Sequence, residues 1–139
     1  MTRAEQTEWS FVRASFIVVA ALLVVAVGGW RLHDAVHDEP TAYELMVRCL
    51  TQEKHLALEP PRDPIALSAG LGAVRTVIET NGVTISVARS PEGAERIVAA
   101  YRSVAGDLGT RLELRGGTVY LWDGVPGSTQ RQTVFDCTY

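Results

Sequence analysis

The sequence predicts an α+β fold: a single N-terminal transmembrane helix followed by a small two-layer sandwich, with a mainly antiparallel sheet and two helices on one of its faces. Three observations predict it. Apolar residues crowd into one uncharged run, Ala14 to Trp30. Two β-rich segments are each folded back at a glycine-containing turn, Asn81-Gly82 and Gly116-Gly117. Two other segments carry apolar residues at helical spacing behind N-cap signals. The chain has 139 residues, 47% hydrophobic and 21% charged. That leaves room for one compact domain beyond the apolar run and excludes a large barrel or a two-domain enzyme. A net charge of −3 without a basic stripe excludes the electrostatic footprint of a nucleic-acid binder.

The apolar run divides the chain. Residues 1–12 are expected to be a cytoplasmic tail, 13–30 a transmembrane helix, 31–40 a juxtamembrane stalk and 41–139 an extracytoplasmic domain. Trp9 and Trp30 stand 21 positions apart, which on a helix is about 31 Å. That matches a hydrocarbon core of about 30 Å, with an indole at each interface. Arg13 lies just inside the Trp9 boundary, where its long stem returns the charge to the headgroups. Arg3 and Arg13 precede the segment, and Arg31 is the only Lys or Arg in the seventeen residues after Trp30. This bias orients the N-terminus to the cytoplasm. The alternative is a cleaved signal peptide, with Phe16 to Val27 as its apolar region and Ala26-Val27-Gly28 as its cleavage site. Glu5 and Glu8 cancel the two arginines, however, and a signal peptide leaves the spaced tryptophans unexplained. A lipoprotein anchor is excluded because no cysteine lies near the end of the run. G-x-x-x-G is absent, so the helix is read as an anchor whose partner is the lipid bilayer. Twelve arginines against one lysine, with abundant Ala, Val and Gly, point to a GC-rich bacterial genome.

Both cysteines, Cys49 and Cys137, fall in the exported part. An even count in an oxidising compartment favours a disulfide over two buried thiols. There is no C-x-x-C, so a redox-active pair is disfavoured.

The domain reads as follows. Arg31 to Pro40 is polar, and Pro40 breaks any helix continuing from the membrane. Thr41-Ala-Tyr-Glu44 is a capping box opening a helix over about 42–55, with Ala42, Leu45, Met46, Cys49 and Leu50 on one face. Leu56 to Gly72 holds Pro60, Pro61, Pro64, Gly70 and Gly72 and reads as an irregular connector. Ala73 to Glu79 and Val83 to Arg89 form a hairpin about Asn81-Gly82, with Val83, Ile85 and Val87 on its buried face. Ser90 caps a second helix with Pro91 at its first position. Ala94, Ile97, Val98, Tyr101, Val104, Ala105 and Leu108 form its stripe, and Gly106 or Gly109 ends it. Leu112 to Arg115 and Thr118 to Trp122 make a second hairpin. After a loop from Asp123 to Gln130, the alternation of Thr133, Phe135, Cys137 and Tyr139 predicts a last strand. The predicted order is αββαβββ.

Candidate sites are few, and no family motif is matched residue for residue. His33 and His37 share one face of a helical stalk beside Asp34, Asp38 and Glu39. Two imidazoles at this spacing form part of a zinc site, but no third ligand is identified and H-E-x-x-H is absent. Gly70-Leu71-Gly72 lacks the remaining residues of a phosphate loop and precedes a strand. No G-x-S-x-G occurs, and no histidine follows His55. A catalytic role is therefore not expected, and no cofactor is implied. Tyr120 and Trp122 share a strand face opposite Val119 and Leu121. If the latter are core, the aromatics and Asp123 form an exposed recognition surface. The expected function is a non-enzymatic, single-pass membrane protein whose outer domain binds a protein or cell-envelope partner. The alternative is an extracytoplasmic sensor of a small ligand or metal, anchored or secreted.

Overall fold

The structure, a computed structural model, describes residues 39–138. The expected transmembrane helix with Trp9, Arg13 and Trp30, and the stalk histidines His33 and His37, lie outside the described residues. Among the described residues no helix is long and apolar enough to cross a membrane.

Residues 40–138 form one compact unit of α+β architecture around a four-stranded antiparallel sheet. Helix α1 (Ala42–Arg48) starts as its capping box requires. Thr41 Oγ1 accepts the Glu44 N–H at 3.2 Å, and Glu44 accepts the Thr41 N–H at 2.7 Å. The helix then widens into a π-helical turn, Cys49–Glu53, which delivers Cys49 and Leu50 to the interior. The connector is not wholly irregular. Asp63 caps a one-turn helix, α2 (Pro64–Leu67), which Pro64 starts.

Strands β1 (Gly72–Ile78) and β2 (Asn81–Val87) form the first hairpin. Its turn is Glu79-Thr80, not Asn81-Gly82 as expected. Ile78 pairs with Asn81, and Glu79 takes the positive φ of 59° that the turn demands. Asn81 is drawn into the strand by tertiary bonds. Its side chain accepts the Gly124 N–H at 2.9 Å and donates to Gln130 at 3.2 Å.

Helix α3 (Pro91–Ala105) runs from the Ser90 cap to Gly106 at φ 71°. A 3-10 turn (Gly109–Arg111) leads into β3 (Leu112–Arg115), and Gly116-Gly117 returns the chain as β4 (Thr118–Trp122). The sheet order is β1-β2-β4-β3, so β1 and β3 are the edges.

The expected last strand is a helix, α4 (Ser128–Phe135). Alternation from Thr133 to Tyr139 suggested period two. Burial instead selects Val134 and Cys137, three residues apart, with Gln130 one turn earlier bonded to Asn81. Gln130 also accepts the Gly127 N–H at 3.0 Å, satisfying one of the helix's free donors.

A second correction concerns layering. The helices do not share one face of the sheet. On one face α1, its π turn and α4 pack on Val74, Ile78, Val83, Ile85, Val87, Tyr120 and Trp122. On the other, α2 and α3 pack on Val119, with Leu112 and Leu121 alongside. Both faces of β2 are consequently buried, Thr84 and Ser86 as well as Val83, Ile85 and Val87.

Candidate functional site

The disulfide is formed. Cys49 and Cys137 are bonded with their Cα atoms 5.5 Å apart, and both are buried. The bridge ties the π turn to the residue after α4's last turn. Close by, the Lys54 ammonium and Asp136 carboxylate meet at 2.8 Å, holding the Asp136 carboxyl below its usual range. Cys137 thus points into the core as the pattern suggested, although from a helix end instead of a strand.

The expected aromatic recognition surface is not a surface. Tyr120 and Trp122 are 0% exposed, and each belongs to the core beneath α1 and α4. Val119 and Leu121 do face α3 as the expectation required, but α1, its π turn and α4 cover the aromatic face as well. Tyr120 stacks edge-on against Phe135 with centroids 5.0 Å apart and hydrogen-bonds to the Thr138 hydroxyl. Burial pushes its phenol up to about 12. Trp122 Nε1 is the one buried side-chain nitrogen or oxygen among the described residues without a partner.

Asp123 alone of the three expected residues is exposed, and it is committed to an ion pair. Arg75 reaches across β2 to place its guanidinium on the Asp123 carboxylate, with Glu59 at 3.4 Å on its other side. The path crosses Gly82, where a Cβ would collide with both the Arg75 guanidinium and the Asp123 carboxylate. This is what Gly82 is for in the fold: open backbone under a bridging side chain, not turn chemistry. Arg75 holds the Asp123 carboxyl below its usual range. Sequence reading missed this cluster, since its members lie 16 and 48 residues from Arg75.

His55, the remaining histidine, is exposed at φ 54°, just beyond the π turn. Among the described residues no three His, Cys, Asp or Glu side chains are grouped to hold a metal. Gly70 lies under the Arg89 side chain, whose Nε donates to the Gly70 carbonyl at 2.9 Å. Around this contact a hollow of about 230 Å³ opens at the start of α3, with Ser90, Gly93 and Arg96 in its wall.

The remaining surface of note is the β3 edge. β4's odd residues serve β2, because Gly117 accepts the Ala88 N–H and Asp123 donates to Gly82 O, both at 2.9 Å. Its even residues therefore serve β3, and Arg115 and Glu113 face Thr118 and Tyr120. Leu112 and Leu114 are left with their N–H and C=O groups turned outward. The opposite edge differs: Glu59 and Arg75 exchange backbone bonds of 2.8 and 2.9 Å, covering the middle of β1. Beside β3 a groove of about 550 Å³ runs between Leu112 and Leu114 and the α3 residues Glu95, Val98, Ala99 and Arg102. Leu114 is 41% exposed there.

No family model, no curated protein and no solved structure matches the chain.

Proposed function

We propose that this chain is a membrane-anchored, extracytoplasmic protein-binding module without catalytic activity, and that its binding surface is the β3 edge with the groove against α3. The observation that carries the reading is the open edge. A strand with outward N–H and C=O groups and an exposed leucine is a template for an added strand. The groove beside it supplies apolar contact for alternate side chains. The buried disulfide supports an oxidising address, and the Ala14–Trp30 run supplies the anchor.

The small-ligand reading has one foothold, the hollow beside Arg89 and Arg96. At about 230 Å³ it falls below the roughly 300–1,000 Å³ of ordinary ligand pockets. It therefore ranks second.

The address is tested by intact mass from the native membrane fraction, with alkylation before and after reduction. Full mass with thiols that alkylate only after reduction is the expected result. Loss of about the first 28 residues would replace the anchor with a secreted domain. Thiols that alkylate without reduction would overturn the exported address. The surface is tested by placing a photocrosslinking amino acid at position 114 in the full chain. Illumination of membranes is expected to give a protein adduct, and a position on the exposed back of α3, such as Ser103, is expected to give none.

A further inference from the structure

We propose that the partner at the β3 edge is a second copy of this chain, joined about a two-fold axis perpendicular to the sheet and passing beside Leu114. This inference rests on the β3 edge being the binding surface and goes on to name its occupant.

Charge complementarity favours one register of the edge. A two-fold axis perpendicular to the sheet makes the two β3 strands antiparallel and keeps each face of one sheet continuous with the same face of the other. Paired residues must then share a face, so registers differ in steps of two. With Leu114 opposite the partner's Leu114, both have outward hydrogen-bonding groups and form a hydrogen-bonded pair. Glu113 then lies opposite the partner's Arg115, and Arg115 opposite the partner's Glu113. The next register sets Glu113 against the partner's Glu113, placing like charges directly opposite. Both side chains are held in place on the α4 face of the sheet. Arg115 lies over the Phe135 ring at 4.3 Å, and Glu113 is paired with Arg131 through one carboxylate oxygen at 2.5 Å. A short strand carrying two charges resists indiscriminate pairing. Only a partner that matches both charges overcomes that guard, and this chain matches itself.

The helix beside the edge repeats the pattern. Under the same axis the two α3 helices run antiparallel, side by side over the joined sheets. Glu95 and Arg102 are seven residues apart, two turns along the groove side of α3, and both are exposed. Among the described residues neither takes part in an ion pair. An antiparallel pair centred between Val98 and Ala99 sets Glu95 opposite the partner's Arg102, twice. Ala99, exposed and small, lets the helices approach at that centre. Strand and helix thus present the same acid–base order about one axis. A membrane anchor raises the effective concentration of such copies, so a modest interface suffices.

The test uses the full chain in detergent, followed by native mass spectrometry. Wild type is expected to show a dimer. Glu95→Arg and Arg102→Glu each set like charges opposite one another and are expected to weaken the dimer about tenfold or more. Mixed together they restore complementary charges, and the heterodimer, resolved by mass, is expected to exceed either homodimer. Leu114→Lys is expected to abolish dimers of every combination. Retention of the Cys49–Cys137 bond and of the thermal transition in each variant separates lost pairing from lost folding. A wild-type chain that stays monomeric at about 100 μM, or a mixture with no heterodimer preference, would overturn the proposal. Photocrosslinking at position 114 in membranes separates self-pairing from binding at the β3 edge by another protein. An adduct of twice the chain's mass supports self-pairing. An adduct with a different protein and no self-adduct overturns self-pairing and leaves the β3 edge as the binding surface. No adduct overturns both.

Discussion

Gly82 carries more of the local structure than its size suggests. Its bare Cα lets the Arg75 side chain lie across β2 and meet Asp123, a pairing that lowers the Asp123 carboxyl. In the unfolded chain Asp123 titrates near its ordinary value, so the folded state holds the charged form more strongly. The stabilisation is complete above the unfolded pKa and is lost as pH falls through the lower folded one. Asp123 is half exposed, so the pair is worth no more than about 1 kcal/mol. Gly82→Ala is expected to expel the pair, and NMR titration should then find the Asp123 carboxyl returned upward toward its usual range. Tyr120 makes the opposite prediction. Burial raises its phenol from 10 to about 12, so folding holds the neutral form. Its contribution to stability is level below pH 10 and is expected to fall as pH rises from there toward 12, read from urea midpoints across that range. Tyr120→Phe should lessen that alkaline loss.

At the scale of elements, the caps of α1 and α3 were legible, while α2 and α4 were not. Thr41 and Ser90 announce α1 and α3 because a cap is a local bargain among residues three apart. Helix α4 has no such oxygen at its N-cap, which is Gly127. Its apolar content is thin, and the alternation of Thr133, Phe135 and Cys137 imitates a strand. Proline distinguishes the two readings. Ser128→Pro replaces the first helical residue, whose N–H is not needed within the helix, and is expected to be nearly neutral. Thr133→Pro removes an interior N–H and is expected to cost about 3 kcal/mol by urea denaturation. The first hairpin shows the same limit. Asn81-Gly82 is a strong turn signal, yet Asn81 gains bonds to Gly124 and Gln130 by entering β2. The turn moved two residues without changing which face Val83, Ile85 and Val87 occupy, because an even shift preserves the alternation.

At the scale of the molecule, the sheet is insulated on both sides and the disulfide closes the chain on itself. The bridge spans 88 residues. In the chain-entropy account it contributes about 4–5 kcal/mol by restricting the unfolded state. That is a large part of the roughly 5–15 kcal/mol holding a domain of this size. Cys49→Ala with Cys137→Ala is therefore expected to lower the urea midpoint sharply. Reductant is expected to do the same to wild type and nothing further to the double variant. The two helical layers also explain why the candidate site moved. With both faces of β4 covered, the proposed binding surface is an edge, and β3 is the edge without a cover among the described residues.

By itself the sequence determined the α+β class, the caps of α1 and α3, the glycine turn between β3 and β4, and the cysteine pair. Each depends on residues near one another in the chain, or on a count of two thiols with one way to pair. Tertiary structure alone decided the helical state of α4, the exact hairpin turn of Glu79-Thr80, the burial of Tyr120 and Trp122, and the Arg75–Asp123 bridge. Those outcomes depend on which layer covers which face. A strand's alternation states that its two faces differ; it does not state whether water or a second helical layer lies beyond the less apolar one.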